Sequence, residues 1–161
     1  MRRAVILITG FALLALVNLS IYKREALLAR GRIVLLELAP VDPRSLMQGD
    51  YMALRFRVGS ELETRRRENL SDGNLILAVG AKGIAAYRRI DDGTPLAADE
   101  LRMRFRVREG NVKFATNAFF FEEGTGEAYT MARYGEFRVD DKGDAILTHL
   151  CDAAAQRISP R

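Results

Sequence analysis

The chain has 161 residues, room for one domain and an anchor but too few for two full domains. Its formal net charge of +4 is unevenly spread. Residues 1–32 hold Arg2, Arg3, Lys23, Arg24, Arg30 and Arg32 against Glu25 alone, a net of +5, so residues 33–161 sum to −1 with 19 basic and 20 acidic side chains. That balance leaves the domain without the overall basic field that nucleic-acid binding uses, and it puts the basic excess where it meets lipid head groups.

Ala4 to Tyr22 reads AVILITGFALLALVNLSIY, 19 residues without a charge. About 20 such residues cross roughly 30 Å of hydrocarbon as a helix. Tyr22, Lys23 and Arg24 then supply an interfacial aromatic and two head-group contacts. The rival is a cleaved signal peptide. Its apolar core is shorter and ends in small residues, whereas this run ends in Ser-Ile-Tyr-Lys-Arg, which favours an uncleaved signal anchor. Positive charge flanks the segment on both sides. The larger count after it favours a cytoplasmic domain, while the short flank with two Arg fits a signal-anchor start with the domain outside.

KREALLARGR (23–32) extends the helix until Gly31 stops it. Ile33 to Ala39 is an apolar β-rich run broken by Pro40-Val-Asp-Pro43. From Asp50, residues alternate, with Met52, Leu54, Phe56 and Val58 on one face and Tyr51, Ala53, Arg55 and Arg57 on the other, as in a half-buried strand. Ser60 with Glu63 forms a capping-box pattern for a short, polar surface helix ending near Leu70. Arg65-Arg66-Arg67 there reads as a solvated face, the alternative being contact with lipid phosphate.

Leu75–Val79 and Ile84–Ile90 form a predicted hairpin. Leu101, Met103, Phe105 and Val107 alternate with Arg102, Arg104, Arg106 and Arg108 in the cleanest strand pattern of the chain. Val112–Phe114, Ala128–Arg133, Glu136–Val139 and Ala145–Leu150 read as further strands, with Asp140 to Asp144 as a hairpin loop. The expected class is mainly β (α+β): a transmembrane helix, then one antiparallel sheet, sandwich or partly open barrel with a short surface helix. The expected divisions are 1–32 for flank, anchor and juxtamembrane segment, 33–155 for the β-rich domain, and 156–161 for a flexible tail.

Few residues carry recognisable chemistry. Four guanidinium groups on one strand face could grip phosphate or anionic lipid, or pair with acidic groups on neighbouring strands. His149 and Cys151 alternate on one strand face, but there is no other His or Cys to complete a metal site, and a lone cysteine forms no internal disulfide. Cys151 reads as a small buried apolar residue, the alternatives being lipidation or a reactive thiol. No catalytic set, cofactor site or metal site is expected. Phe119, Phe120 and Phe121 followed by Glu122 and Glu123 read as core plus turn, or, if exposed, as a contact patch or membrane-dipping loop.

GDYMALRF at residues 49–56 resembles the motif of the GDYXXLXY family of bacterial membrane-anchored proteins: Gly49, Asp50, Tyr51 and Leu54 fit, and Phe56 stands where the motif has its final Tyr. Pro40-Val-Asp-Pro43, FFFEEG, ARYGEFRV and the anchor are also similar. The resemblance implies a single-pass protein of the bacterial inner membrane, its domain periplasmic, with the lipid bilayer and an integral membrane protein as partners. It implies no reaction. Read by itself, the motif is a turn-and-strand unit, with Gly49 permitting the turn and Asp50 capping it, or a ligand site. S-x-M before GDY and the later DGNLILAVGAKGIAAYRRI are weakly similar to signal-peptidase and LexA-like Ser-Lys peptidases. Ser45 is closer to GDY than that pattern expects, Arg88 stands at the position of the Lys base, and Lys82 falls on a turn. A guanidinium stays protonated and cannot act as a base. The expected function is therefore non-catalytic binding of a membrane neighbour, the alternatives being a Ser-Lys hydrolase or an anionic lipid or glycan binder through Arg102, Arg104, Arg106 and Phe119–Phe121.

Overall fold

The computed structural model describes residues 2–39, 47–48, 51–65 and 70–159. Helix α1 (Arg2–Arg30) leads into a mainly β domain. The first strands are β1 (Arg32–Glu37), β2 (Met47–Gln48) and β3 (Tyr51–Ala53), followed by helix α2 (Arg57–Arg65). Then come β4 (Gly73–Val79), β5 (Ile84–Ile90), β6 (Glu100–Arg108), β7 (Asn111–Phe114) and β8 (Ala118–Phe120). A 3-10 helix (Gly126–Met131), β9 (Tyr134–Val139) and β10 (Ala145–Cys151) complete the chain.

Seven strands pair in the order β10-β9-β1-β5-β4-β6-β7, and β2-β3-β8 form a separate three-stranded sheet. Neighbours are antiparallel except β1 and β5, which run parallel because the chain crosses over through β2 to β4 between them. The large sheet curls into a nearly closed barrel. Gly143, in the β9–β10 turn, accepts a 2.8 Å hydrogen bond from Arg104 N on β6, and Asp144 meets the Arg104 guanidinium at 2.7 Å. The outer edge of β7 is capped by side chains: Val112 N donates to Glu63 at 2.6 Å and Phe114 N to Asn117 Oδ1 at 3.2 Å. A strand edge satisfied in this way cannot template another strand.

Alternation fixes which side chains fill the barrel. Val34 and Leu36 of β1, Leu75 and Leu77 of β4, Met103 and Phe105 of β6, and Phe137 and Val139 of β9 are all buried. Arg104, Arg106 and Arg108 on the opposite face of β6 are exposed, as the sequence pattern predicts. Met52, Leu54, Phe56 and Val58 are likewise all buried. The regular strand nevertheless ends at Ala53, because the chain there leaves the small sheet for the barrel, where Phe56 bridges to Leu38. Phe56 packs edge-on against Phe114 and Phe137, at 5.9 and 5.2 Å between centroids.

Two predicted elements change. Helix α2 begins at Arg57 rather than after a Ser60 cap: Ser60 N bonds Phe56 O inside the helix, and Glu63, released from a capping box, caps β7 instead. One side of α2 is buried through Val58, Gly59 and Leu62, so only its other face is the expected polar surface. The strand predicted at Ala128–Arg133 is largely the 3-10 helix. Thr125 and Thr130 hydroxyls each bond a carbonyl three residues back, a local alternative to strand pairing.

Only Gly31 separates α1 from β1, and its N–H continues the helical pattern to Leu27 O at 2.8 Å. A Cβ on Gly31 would lie 2.5 Å from Leu27 O and 3.1 Å from Val139 N, so the helix end and β9 approach at a distance only glycine allows. Arg138 Nη1 donates to Gly31 O at 3.1 Å, and Arg32 Nη1 to Glu100 O at 3.2 Å. Ala26 and Leu27 near the end of α1 are half-buried, and the other described side chains of α1 are exposed. Ile6–Arg30, 25 residues, is long and apolar enough to cross a membrane, and its most apolar window is 0% buried by protein.

The chain end, expected to fray from residue 156, is tied to the barrel through Ile158. Ile158 N bonds Leu150 O, and Arg157 grips Glu136 with two 2.9 Å hydrogen bonds. Thr148 Oγ1 donates to Glu136 at 3.0 Å, and His149 Nδ1 lies 3.4 Å away. Burial alone would raise the Glu136 carboxyl. The hydrogen bonds from Arg157 and Thr148, then the charges of Arg157 and His149, outweigh it and hold the group below its ordinary 4.5. A carboxyl lowered by folding stabilises the fold above the unfolded value and loses that contribution as the pH falls through the folded one. Arg157→Ala should therefore destabilise the domain by about 1–2 kcal/mol at pH 7, the guanidinium being half exposed. Urea unfolding should show the difference shrinking as the pH drops below 4.5. At the barrel seam, Gly143 has φ +86° and a Cβ there would lie 3.1 Å from Arg104 N, whereas Gly93 has φ +81° and open space. Both Ala substitutions incur backbone strain of about 1–3 kcal/mol. Gly143→Ala should lower the unfolding midpoint further than Gly93→Ala, because only it also pushes the seam apart.

Candidate interaction surface

The three-stranded sheet joins the barrel at the end of β1 away from α1. Leu38 N bonds Arg133 O and Ala39 N bonds Arg55 O, each at 2.8 Å. On this sheet β3 and β8 pair with Tyr51 opposite Phe120, Met52 opposite Phe119 and Ala53 opposite Ala118. The pleat sends Met52 and Phe119 to the core and Tyr51 and Phe120 outward. The three phenylalanines thus divide. Phe119 meets Tyr129 edge-on at 5.1 Å, Phe121 stacks on the same ring at 5.5 Å, and Phe120 is 73% exposed with its ring 5.8 Å from that of Tyr51. Phe119 and Phe121 pack toward the core, as the core-plus-turn reading expects, whereas Phe120 is exposed.

Glu122, Glu123 and Glu127 are exposed just beyond β8, and among the described residues no cation lies within ion-pair distance of them. The Tyr129 hydroxyl is raised by burial and then by the charge of Glu122. Met131, on the same 3-10 helix as Tyr129, is 74% exposed.

The arginine face of β6 is mostly structural. Arg102 pairs with Asp91 at 2.6 Å, Arg104 with Asp144 at 2.7 Å and Arg108 with Asp72 at 3.1 Å. The Asp91 carboxyl is lowered chiefly by the Arg102 hydrogen bond, and that of Asp72 by the Val107 N–H and then Arg108. Their partners sit in turns rather than on adjacent strands. Arg106 differs: it stands opposite Lys113 on β7, a like-charge pair, and makes no ion pair among the described residues.

His149 and Cys151 belong to the face of β10 that meets Glu136, and Cys151 is buried with its thiol raised by burial and by Glu136. Among the described residues no group of three or more His, Cys, Asp or Glu is placed to hold a metal ion. Lys82 lies exposed in the β4–β5 turn, and Arg88 is engaged by Asp99 at 2.9 Å and Glu100 at 3.3 Å. Arg65 sits 5.6 Å above the Tyr87 ring, a cation–π contact. Gly49 and Asp50 of the motif, Ser45, Pro40 to Pro43, Arg66 and Arg67 lie outside the described residues. Of the motif residues described, Leu54 and Phe56 are buried and Tyr51 is half-buried beside Phe120. Tyr129, Met131 and Glu127 escaped the sequence pattern because they lie in the segment that reads as a strand or just before it.

Comparison with curated proteins and with solved structures finds no match. A family model described as GDYXXLXY protein matches residues 13–150, from within α1 to the penultimate residue of β10. The chain therefore belongs to the GDYXXLXY protein family.

Proposed function

We propose that this protein is a non-catalytic, membrane-anchored envelope domain that binds a neighbouring multi-pass membrane protein. In this reading α1 crosses the inner membrane once as an uncleaved anchor, with its N-terminus inside and the β domain on the periplasmic side. The observation that carries it is the junction at Gly31. A domain that merely needed confinement to a membrane would be served by a flexible tether, whose residues sample many separations. Here the helix enters β1 through one residue, with Arg138 of β9 bonding the carbonyl of that residue, Gly31. Such a joint holds the barrel in one pose above the bilayer, which suits a surface that must meet another membrane-embedded protein. The half-buried last turn at Ala26 and Leu27 supports retention of the helix, since that turn is packed with the domain. The exposed aromatic group of Phe120 and Tyr51 supports a binding role.

Two outcomes test this. A ten-residue Gly-Ser insertion after Gly31 should reduce recovery of the partner in mild detergent at least ten-fold while leaving domain unfolding unchanged. Recovery of the uninserted chain as a lone monomer overturns the proposal. Met131→Cys should react with a membrane-impermeant thiol reagent in intact spheroplasts, because residue 131 is exposed and the native Cys151 is buried. Protection until lysis would reverse the orientation.

A further inference from the structure

We propose that the outward face of the β3–β8 pair, centred on Phe120, together with the exposed Glu122, Glu123 and Glu127 that follow it in the chain, is the docking surface. Its occupant is a cationic segment of the partner protein that also presents an apolar side chain. The proposal rests on the partner reading above and specifies its contact.

Phe120 is the unusual residue. Exposed aliphatic residues are common on soluble domains, but a phenylalanine 73% exposed within a paired strand is held outward by its neighbours rather than by fraying. Phe119 and Phe121 are both fixed on Tyr129, so the ring between them cannot turn inward. Tyr51 lies directly across the strand pair and widens the aromatic surface. A rigid aromatic platform of this kind is what interface hot spots use, since little side-chain freedom is lost on binding.

Charge selects the occupant. Glu122, Glu123 and Glu127, all exposed, follow Phe120 along the chain without a cation in ion-pair range among the described residues, and Arg133, which comes after them, makes no ion pair with them. Asp72, Asp91, Asp99 and Asp144 each meet an arginine, while Glu109 and Asp141 are exposed without one among the described residues. Glu122, Glu123 and Glu127 attract lysine or arginine, and either cation also binds over the face of Phe120. The same charges repel anionic head groups, which disfavours the bilayer as occupant. Position agrees. The small sheet hangs from the end of β1 opposite Gly31, about 20 Å along the strand from the anchor at roughly 3.3 Å per residue.

The test uses the full chain in a nonionic detergent and two fluorescent synthetic peptides. One alternates arginine with leucine, and the other replaces each arginine with glutamate. The arginine peptide should bind at low salt, weaken as salt rises, and lose at least ten-fold in affinity with Phe120→Ser and again with Glu122→Lys. Equal binding by both variants, or equal binding of the glutamate peptide, overturns the proposal. Full partner recovery with Phe120→Ser overturns the surface assignment while leaving the partner reading intact, whereas absence of any partner with the unaltered chain removes the latter. Two further outcomes reject the stated occupant. One is quenching of a fluorophore on Phe120→Cys by nitroxide-labelled lipid in nanodiscs, which would show the platform on the membrane. The other is a concentration-dependent dimer abolished by both Phe120→Ser and Arg106→Glu, which would show a second copy of this chain on it.

Discussion

Phe56 sits where the small sheet becomes the barrel, and its ring closes the space between Phe114 of β7 and Phe137 of β9. The fit is close enough to dictate a third residue. A Cβ on residue 135 would lie 2.9 Å from the Phe56 ring and 3.1 Å from Leu147, so β9 carries glycine there. From that packed ring the chain runs one way into β3, whose pairing holds Phe120 outward, and the other way into α2, whose Glu63 satisfies the edge of β7. The motif that names the family is thus, over its described residues, a packing element first. Leu54 and Phe56 fasten the strand to the core, and Tyr51 is the one described motif side chain left partly at the surface.

The same logic explains why ionic groups cluster at turns. A barrel this small has little interior, so its charges are arranged around the outside, where opposite charges at the surface add modest stability. Asp91, Asp144 and Asp72 each lie just beyond a strand end and reach back to an arginine on β6. They tie loops to the sheet, and Asp144 does so at the seam where the barrel closes. Two carboxylates are exceptions because they are buried: Glu100, which meets Arg88 and Arg89, and Glu136. Glu136 requires three donors or charges around it, and one of them comes from the last few residues of the chain.

What could be read in advance follows from the range of the forces involved. Strand β6 was legible because its alternation of apolar residues and arginines is a local signal with a period of two. So was the burial of Met52, Leu54, Phe56 and Val58, although not the point at which strand gives way to helix, since Ser60 and Glu63 match a capping box by spacing while Glu63 is taken by a strand 49 residues later. The segment around Tyr129 has β-forming side chains, yet hydroxyl-to-carbonyl bonds at Thr125 and Thr130 turn it into a 3-10 helix. The arginine ladder suggested cross-strand ion pairs, and three of its members found carboxylates, but in turns that no pairing rule on strands would single out. Which of three consecutive phenylalanines faces outward depends on the register of β8 against β3, a long-range property. The clasp between Arg157 and Glu136 joins residues 21 apart through a bulged strand and left no trace in local sequence.

Because a single residue separates α1 from β1, the helix transmits more than distance. Successive helical residues rotate by about 100° at a rise of about 1.5 Å. The number of residues between the bilayer and Gly31 therefore sets the compass bearing of the Phe120 platform about the membrane normal. Gain or loss of one juxtamembrane residue would swing that platform through more than a quarter turn while barely altering its height. In the membrane-anchored reading proposed above, the spacing in Lys23 to Arg30 would act as an angular setting for the domain.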